Sequence, residues 1–168
     1  MRDLKTYYTY MDSPVGPLLL AGSDTALQVI GFSAGSKARG AEPGWQQWDE
    51  PFIKTRKQLT EYFEGRRKQF DMPLDPKGTE FQLSVLNQLL QIPYGETRSY
   101  KDIALAIGSA KSVRAVGNAN GSNPLPIVIP CHRVIGSNGS LTGFGGGLEA
   151  KRFLLGLEVS HSGLFEGV

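Results

Sequence analysis

The sequence predicts an α+β protein, with a small antiparallel sheet and a helix in the N-terminal part and a mostly helical C-terminal part. Three short runs rich in Tyr, Thr, Leu and Val precede residue 33, and turn-forming residues separate them. From residue 52 onward, apolar side chains recur at helical spacing in several segments. The sequence Asp-Pro-Lys-Gly at residues 75–78 interrupts this pattern. We therefore expect an N-terminal α/β domain over residues 1–76 and a C-terminal domain over residues 77–168.

The N-terminal sheet is predicted as a meander, and its three strands are expected at residues 6–12, 18–21 and 26–32. Residues 33–48 lack periodicity and are interpreted as a long surface loop. Its two tryptophans, Trp45 and Trp48, are expected to pin the loop to the body of the protein. A stacking platform for DNA bases is the alternative function for these two side chains.

One helix is predicted to follow the loop. Its expected inward face consists of side chains at helical spacing: Phe52, Arg56, Leu59 and Phe63. Gly65 is the expected stop signal. Residues 69–74 are then predicted to form a further short strand.

Helix signals dominate the C-terminal part. A Thr-x-x-Gln capping box precedes an apolar stripe and predicts a helix over residues 80–90. Two further helices are predicted at residues 99–107 and 110–120, with a Gly-Ser pair between them. This arrangement indicates a helix-turn-helix, although a purely structural helical hairpin has the same pattern.

The second helix of this pair is rich in small residues: Ala115, Gly117, Ala119 and Gly121. Glycine opposes helix formation, so a close approach to another surface is indicated. Tight packing against a neighbouring element is one explanation. Contact with the DNA minor groove, which is only about 6 Å wide, is the other.

A glycine-rich stretch and one more helix follow near the end of the chain. Residues 143–147 have neither the lysine of a P-loop nor the spacing of a dinucleotide-binding loop, so we expect a pocket wall with exposed backbone. The helix is predicted over residues 148–158. Its expected inward side chains are leucines: Leu148, Leu154, Leu155 and Leu157.

The only cysteine, Cys131, follows an apolar run at residues 127–129 and Pro130, which is expected to end a strand. A thiol at a strand end is presented for reaction, although a lone cysteine is often only a small buried hydrophobe. Attack requires the thiolate, and His132 and Arg133 offer a base and a positive charge. Neighbours in an extended chain face opposite sides, so His132 needs a sharp turn or a relaying water to reach the sulfur. A distant Asp or Glu is then expected to hold the imidazole.

Charge and composition exclude several classes of protein. The 168 residues carry a net charge of +2, which permits nucleic-acid binding without arguing for it. One cysteine excludes an internal disulfide, and with only two histidines we expect no metal site. Residues 1–5 lead into no long apolar run. We therefore expect no signal peptide, no contact with a membrane and a cytoplasmic protein.

The segment Pro-Cys-His-Arg-Val at residues 130–134 resembles the active-site motif of the O6-alkylguanine-DNA alkyltransferases, also called methylated-DNA–protein-cysteine methyltransferases. The resemblance extends over roughly the C-terminal half, in the family's order and spacing. Its further segments are Ile-Pro-Tyr-Gly-Glu-Thr-Arg-Ser-Tyr at 92–100, Val-Arg-Ala-Val-Gly at 113–117, Asn-Pro at 123–124 and Leu154-Leu155 ahead of Glu158. It implies a ribonuclease H-like N-terminal domain and a winged helix-turn-helix-like C-terminal domain that carries the active site.

The resemblance also implies the chemistry of the site. Cys131 would be the nucleophile and final acceptor of the alkyl group, His132 would take its proton through a water, and Glu158 would position the imidazole. Tyr100 would donate to N3 of the leaving guanine, and the carbonyls of Cys131 and Val134 would receive the exocyclic amine. A thioether has no easy route to hydrolysis, so each chain would act once, without a cofactor.

The implied partner is double-stranded DNA containing O6-alkylguanine, with O4-alkylthymine as a further possible substrate, bound by a monomer through the minor groove. Arg114 would enter the base stack as the damaged nucleotide leaves, because the thiolate reaches the alkyl carbon only in an everted base. Asn123 would tie the recognition helix to the active-site strand. The small residues named above would then line the groove.

Two departures from the family pattern concern recognition of the base. Phe144 stands where the family often has tyrosine, and Gly145 where it often has serine or another small residue. Neither position offers a side-chain hydroxyl here, so guanine O6 would be bound by a backbone N–H. Two other functions stay open. An alkyltransferase-like protein binds the lesion without transfer but typically has tryptophan in place of the cysteine. An unrelated cysteine hydrolase would turn over a small ester many times.

Overall fold

The computed structural model describes residues 5–162. Residues 1–4 and 163–168 lie outside the described range. The first residues of the expected N-terminal domain and the last residues of the expected C-terminal domain are among them. So are four of the five residues on which the expectation of no signal peptide was based. In the described range no helix is long and apolar enough to cross a membrane. In the same range no group of three or more His, Cys, Asp or Glu residues could hold a metal ion.

The N-terminal half contains a four-stranded sheet in the order β3-β2-β1-β4. Strands β1 (Tyr7–Met11), β2 (Leu18–Gly22) and β3 (Leu27–Phe32) form the predicted antiparallel meander. Every residue of β2 is buried, because alternate side chains face the main core and a smaller outer cluster. Leu19 belongs to that outer cluster, and Trp45 packs against it.

Residues 33–48 are less irregular than predicted. Strand β4 (Gln46–Gln47) pairs in parallel with β1 at the edge of the sheet. Trp48 packs edge-on against Tyr7 with 4.8 Å between ring centroids, and Trp45 lies on the outer cluster. Both tryptophans therefore anchor the loop to the sheet, as the preferred interpretation expected.

The strand predicted over residues 69–74 does not form. The Gln58 side chain binds both backbone groups of Asp71: it donates to the carbonyl and accepts from the N–H, each at 2.9 Å. Those groups are then unavailable to a strand ladder. In the described part of the chain this segment joins the sheet through one bridge, between Leu74 and Leu27.

The N-terminal helix α1 (Ile53–Phe63) ends just before Gly65, which has a φ of +77°. Its predicted inward face was partly wrong. Leu59 is buried, but the next buried residue along that face is Tyr62. Arg56 instead reaches the sheet, where it donates to the carbonyl of Tyr10 at 2.7 Å.

Three helices open the C-terminal half. Helix α2 (Glu80–Leu89) begins with the predicted capping box, in which both hydrogen bonds are formed. Helices α3 (Tyr100–Ala106) and α4 (Val113–Gly121) form the helix-turn-helix. Helix α4 starts three residues later than predicted because the preceding residues close a turn, with the Ser112 N–H donating to Ser109 at 2.8 Å.

A short parallel pair and a last helix complete the described fold. Strand β5 (Arg98–Ser99) pairs with β6 (Val134–Ile135), and helix α5 covers Leu148–Ser160. The leucine face predicted for α5 was wrong at Leu148, which is 38% exposed. Two charged residues take inward positions instead, so that the buried face of α5 consists of Ala150, Lys151, Leu154 and Glu158.

The run at residues 127–129 is buried but is not a strand, contrary to the prediction. Ile127 has a φ of +76°, which breaks an extended chain and is strained for a β-branched residue. Cys131–Arg133 then forms a single turn of 3-10 helix, called the cysteine turn below. One hydrophobic cluster joins both halves of the protein beneath this turn, and it includes Phe52, Leu59, Leu89, Val116, Ile129 and Leu154.

Candidate active site

The cysteine turn packs against α2 and α5. It is closed by the Arg133 N–H, which donates to the Pro130 carbonyl at 3.0 Å. Cys131 is buried, yet it forms part of the wall of a cavity of about 150 Å³. Five predicted site residues share this wall: Gly121, Asn123, Cys131, Phe144 and Gly145.

Burial raises the pKa of the Cys131 thiol to about 11. Hydrogen bonding from the Asn123 side chain and the positive charge of Lys151 act in the opposite direction, but burial is the larger effect. The resting thiol is therefore protonated at neutral pH, and a base must remove its proton before it can attack. Arg133, which was expected to supply charge beside the sulfur, is instead bound to Glu158 and to the carbonyl of Ile92.

His132 is fully buried, and its Nε2 lies 2.6 Å from Oε2 of Glu158. Burial lowers the pKa of His132 even though the carboxylate favours the charged ring, so the imidazole is neutral at pH 7. A neutral imidazole beside a carboxylate donates its one proton to it, and we therefore assign that proton to Nε2. The other nitrogen, Nδ1, is buried and has no hydrogen-bond partner among residues 5–162. It is the available proton acceptor of the site.

Glu158 accepts hydrogen bonds from four residues on three separate segments. His132 Nε2 and the Tyr62 hydroxyl each lie 2.6 Å from Oε2. Arg133 binds both carboxylate oxygens, at 2.7 and 3.0 Å, and the Gly95 N–H donates to Oε1 at 3.2 Å. Burial alone would raise the pKa of this carboxyl group, but its bonds to His132 and Arg133 lower it to about 2. Glu158 is thus a buried anion, neutralised chiefly by Arg133.

Tyr62 is a site residue that the sequence did not reveal. It lies on α1 in the N-terminal half, is fully buried, and has a raised pKa because of burial and the Glu158 charge. A buried tyrosine needs a partner for its hydroxyl, which was an available signal, but the sequence does not name a partner 96 residues away. The N-terminal half therefore completes the hydrogen bonding of the site.

Lys151 is the second residue that sequence reasoning missed. Its ammonium group is fully buried and donates to the carbonyls of Val134 at 2.6 Å and Thr142 at 3.1 Å. It joins the chain after the cysteine turn to the glycine-rich stretch. The signal was its spacing, because seven residues separate it from Glu158 on the same face of α5.

Two asparagines link the end of α4 to the segment around Cys131. The amide of Asn123 donates to the Ile129 carbonyl at 2.8 Å and accepts from the Leu125 N–H at 2.9 Å. Asn120, which was not predicted, donates to the Cys131 carbonyl at 3.3 Å. The helix and the cysteine are therefore coupled through two side chains rather than one.

Other predicted substrate residues are divided between the cavity and its surroundings. Phe144 is buried in the cavity wall, with its ring edge-on to Phe32 at 5.3 Å between centroids. Tyr100 and Val134 lie outside this wall. The Tyr100 hydroxyl accepts a hydrogen bond from Thr142 at 2.9 Å, and the Val134 carbonyl is bound by a lysine.

The predicted DNA contacts on α4 differ in their exposure to solvent. Arg114 and Ala115 are exposed. Ala119 is only 3% exposed, because it follows Val116 by three residues on the inward face of the helix.

Packing within the chain does not require glycine on α4. A Cβ atom added at Gly117 would meet only the Tyr100 ring, at 3.9 Å, which is ordinary contact. Apart from its chain neighbours and the backbone of its own helix, no described atom lies within 4 Å of a Cβ added at Gly121. Internal close packing therefore does not explain these two small residues.

Fold and site together define a helix-turn-helix protein with a buried cysteine, histidine and glutamate. Residues 80–160 match the model of the 6-O-methylguanine DNA methyltransferase DNA-binding domain, and residues 6–76 match that of its ribonuclease-like domain. The chain belongs to the 6-O-methylguanine DNA methyltransferase family.

Relatives and solved structures agree with this assignment. A methylated-DNA–protein-cysteine methyltransferase of Methanosarcina acetivorans is 51% identical, over 92% of this chain and 99% of its own length. The protein of the same name from Mycolicibacterium paratuberculosis is 48% identical, over 92% of this chain and 93% of its own. A crystal structure of Mycobacterium tuberculosis OGT in complex with DNA is 47% identical, covers 93% of this chain and 94% of that one, and has a TM-score of 0.87.

Stability should depend on the charge of Glu158. Its folded-state pKa is depressed, so its contribution is complete above its unfolded pKa and is lost as the pH falls toward about 2. We expect the free energy of unfolding to lose about 3 kcal/mol from this group between roughly pH 5 and pH 2, measured by urea denaturation. Glu158→Gln should lack this component, and the exposed Glu149→Gln should keep it. An equally steep acid loss in Glu158→Gln would contradict the assignment.

The hydrogen bond between Tyr62 and Glu158 joins the two halves of the protein, so substitutions at the two residues should have coupled effects on the free energy of unfolding. Tyr62→Phe removes one donor to a buried charge and should cost about 2 kcal/mol of unfolding free energy. In a double-mutant cycle with Glu158→Gln, the two changes should be non-additive by about 1 kcal/mol or more. Tyr62→Phe combined with Glu149→Gln should be additive. Additivity in both cycles would rule out the contact.

Proposed function

We propose that this protein repairs DNA by direct reversal of damage, moving the alkyl group of O6-alkylguanine in duplex DNA onto Cys131. One observation carries the proposal: the Cys131 thiol lies in a cavity wall next to a buried His132–Glu158 pair. Family membership supports the same reaction, because close relatives are named methylated-DNA–protein-cysteine methyltransferases.

The proton of the thiol has a defined destination in this proposal. With Nε2–H held by Glu158, the unprotonated Nδ1 of His132 accepts the Cys131 proton, relayed by a water. A base is needed because burial holds the pKa of the thiol near 11, so little thiolate exists at rest. Glu158 then stabilises the imidazolium that forms, and Arg133 keeps Glu158 itself ionised.

Alkyl transfer is a displacement at the alkyl carbon. The Cys131 thiolate forms a bond to that carbon as the bond from carbon to guanine O6 breaks, and the electron pair leaves with the purine. A proton delivered to the base restores neutral guanine. The thioether product has no leaving group that water could displace easily, so each chain acts once and needs no cofactor.

Recognition of the base is proposed to use the groups around the cavity. The Gly145 N–H would bind O6, since neither Phe144 nor Gly145 has a side-chain hydroxyl. Tyr100 would donate to N3, and it is suited to do so because its oxygen accepts from Thr142 and its own proton stays available. The Val134 carbonyl accepts a hydrogen bond from Lys151, and its second lone pair would receive the exocyclic amine. The Cys131 carbonyl accepts from the Val134 N–H and, at 3.3 Å, from Asn120, so there the amine would replace the long bond from Asn120.

DNA is proposed to bind along α4 through its minor groove. The exposed residues Arg114 and Ala115, together with Gly117 and Gly121, form a surface that a narrow groove can approach closely. Arg114 would fill the space left by the everted nucleotide, which offsets part of the few kcal/mol that eversion costs. Asn123 would keep this helix in register with Cys131.

Mass spectrometry tests the reaction directly. After exposure to a duplex with one O6-methylguanine, the peptide that contains Cys131 should gain one methyl group, and the duplex should contain guanine. Cys131→Ala should remain unmodified. Tight binding with the methyl group left on the DNA would indicate a lesion-recognition protein instead. Turnover of a small ester far beyond one equivalent would indicate a hydrolase.

A further inference from the structure

The N-terminal half contributes two cations to the wall of the cavity that contains Cys131. Lys37 and Arg39, on the loop after β3, line this cavity together with Phe32. Its wall contains no aspartate or glutamate among the described residues. The cavity therefore has a positive side, and that side comes from outside the helix-turn-helix.

Backbone contacts hold this loop against the glycine-rich stretch. The Lys37 N–H donates to the Gly145 carbonyl at 3.1 Å. A Cβ atom added at Gly145 would lie 2.9 Å from the Cβ of Lys37, closer than real side chains pack. The stem of Lys37 thus occupies the space that a side chain at position 145 would need.

The two cations differ in how far they are neutralised. Arg39 pairs with Glu42 at 2.9 Å and lies over the Trp45 ring, 5.9 Å from its centroid. Lys37 is exposed, and its ammonium group forms no hydrogen bond or ion pair within the described range. Because Lys37 is both exposed and part of the cavity wall, this residue lies where the cavity meets solvent.

We propose that Lys37, assisted by Arg39, forms an anion subsite at the mouth of the cavity and binds an anionic group of the damaged nucleotide. This inference rests on the proposed function. The anion has two possible sources, a phosphate beside the everted base or a carboxylate on the adduct itself, as in O6-carboxymethylguanine. An ammonium group with no competing protein carboxylate attracts either anion and speeds its arrival.

Rates of transfer to Cys131 from four substrates test the subsite. The free base O6-methylguanine carries no anion, and the O6-methylguanine duplex adds phosphates. A duplex with O6-carboxymethylguanine adds a carboxylate, and one with O6-propylguanine is its neutral counterpart. The variants are Lys37→Gln, which keeps the stem that packs on Gly145, Lys37→Arg, which keeps the charge, and Lys57→Gln, which removes an exposed charge on α1.

With a phosphate as the anion, Lys37→Gln should slow transfer from all three duplexes about threefold to tenfold and reduce the salt dependence, with the free base unaffected. With a carboxylate, the loss should be confined to O6-carboxymethylguanine, and wild-type failure on that duplex would exclude this source. Lys37→Arg should restore the rate, and Lys57→Gln should not change it.

Equal rates for Lys37→Gln and wild type on every duplex would overturn the subsite. A loss on the free base as large as on DNA would also overturn it, because Lys37 would then only support the glycine-rich stretch. Failure of the proposed function looks different, since the wild-type protein would then transfer nothing from any substrate.

Discussion

The buried carboxylate of Glu158 is the group on which the rest of the site depends. An uncompensated charge in the interior is strongly unfavourable, so this residue can be buried only if its oxygens are fully satisfied. Five hydrogen bonds do so, from α1, from the turn at Gly95 and from the cysteine turn. Satisfying one charge therefore fixes three segments of the chain relative to α5.

The pairing of Glu158 with Arg133 explains how a neutral histidine can lie beside a buried glutamate. Without the guanidinium, the cheapest way to neutralise the carboxylate would be to protonate His132, and a protonated ring cannot accept the thiol proton. With Arg133 bound at 2.7 Å, the negative charge is already matched and burial keeps the imidazole neutral. The positive charge of Arg133 thus balances the Glu158 carboxylate rather than the Cys131 sulfur.

Local signals were sufficient where the partners lie close in sequence. The capping box of α2 was readable because donor and acceptor are three residues apart. The strand predicted before Pro130 was wrong, because no local pattern distinguishes a buried loop from a buried strand. Residues 127–129 are apolar and β-branched, yet Ile127 breaks the extended chain. The partner of Tyr62 is a carboxylate far away in the sequence, and the partners of Lys151 are backbone carbonyls. No pattern of residues in the sequence identifies these partners. Cys131 and His132 were proposed from the residues around the one cysteine, which also led us to expect a distant carboxylate. Glu158 was identified as that carboxylate only through the resemblance to a family, since sequence spacing alone does not bring it to the histidine.

The composition of α4 supports the proposal that this helix contacts a partner. Glycine in a helix interior costs up to about 1 kcal/mol relative to alanine. Such a cost is usually offset by close packing, but a Cβ added at Gly117 would make only an ordinary contact with the Tyr100 ring. Apart from the chain neighbours and the backbone of α4 itself, no described atom lies within 4 Å of a Cβ added at Gly121. Ala119 differs, because it faces the core and its small size serves internal packing. Gly117, inside the helix, therefore lowers the stability of the free protein without serving internal packing, whereas Gly121 is the last residue of α4. The exposed Arg114 gives the outer face of the same helix a positive charge.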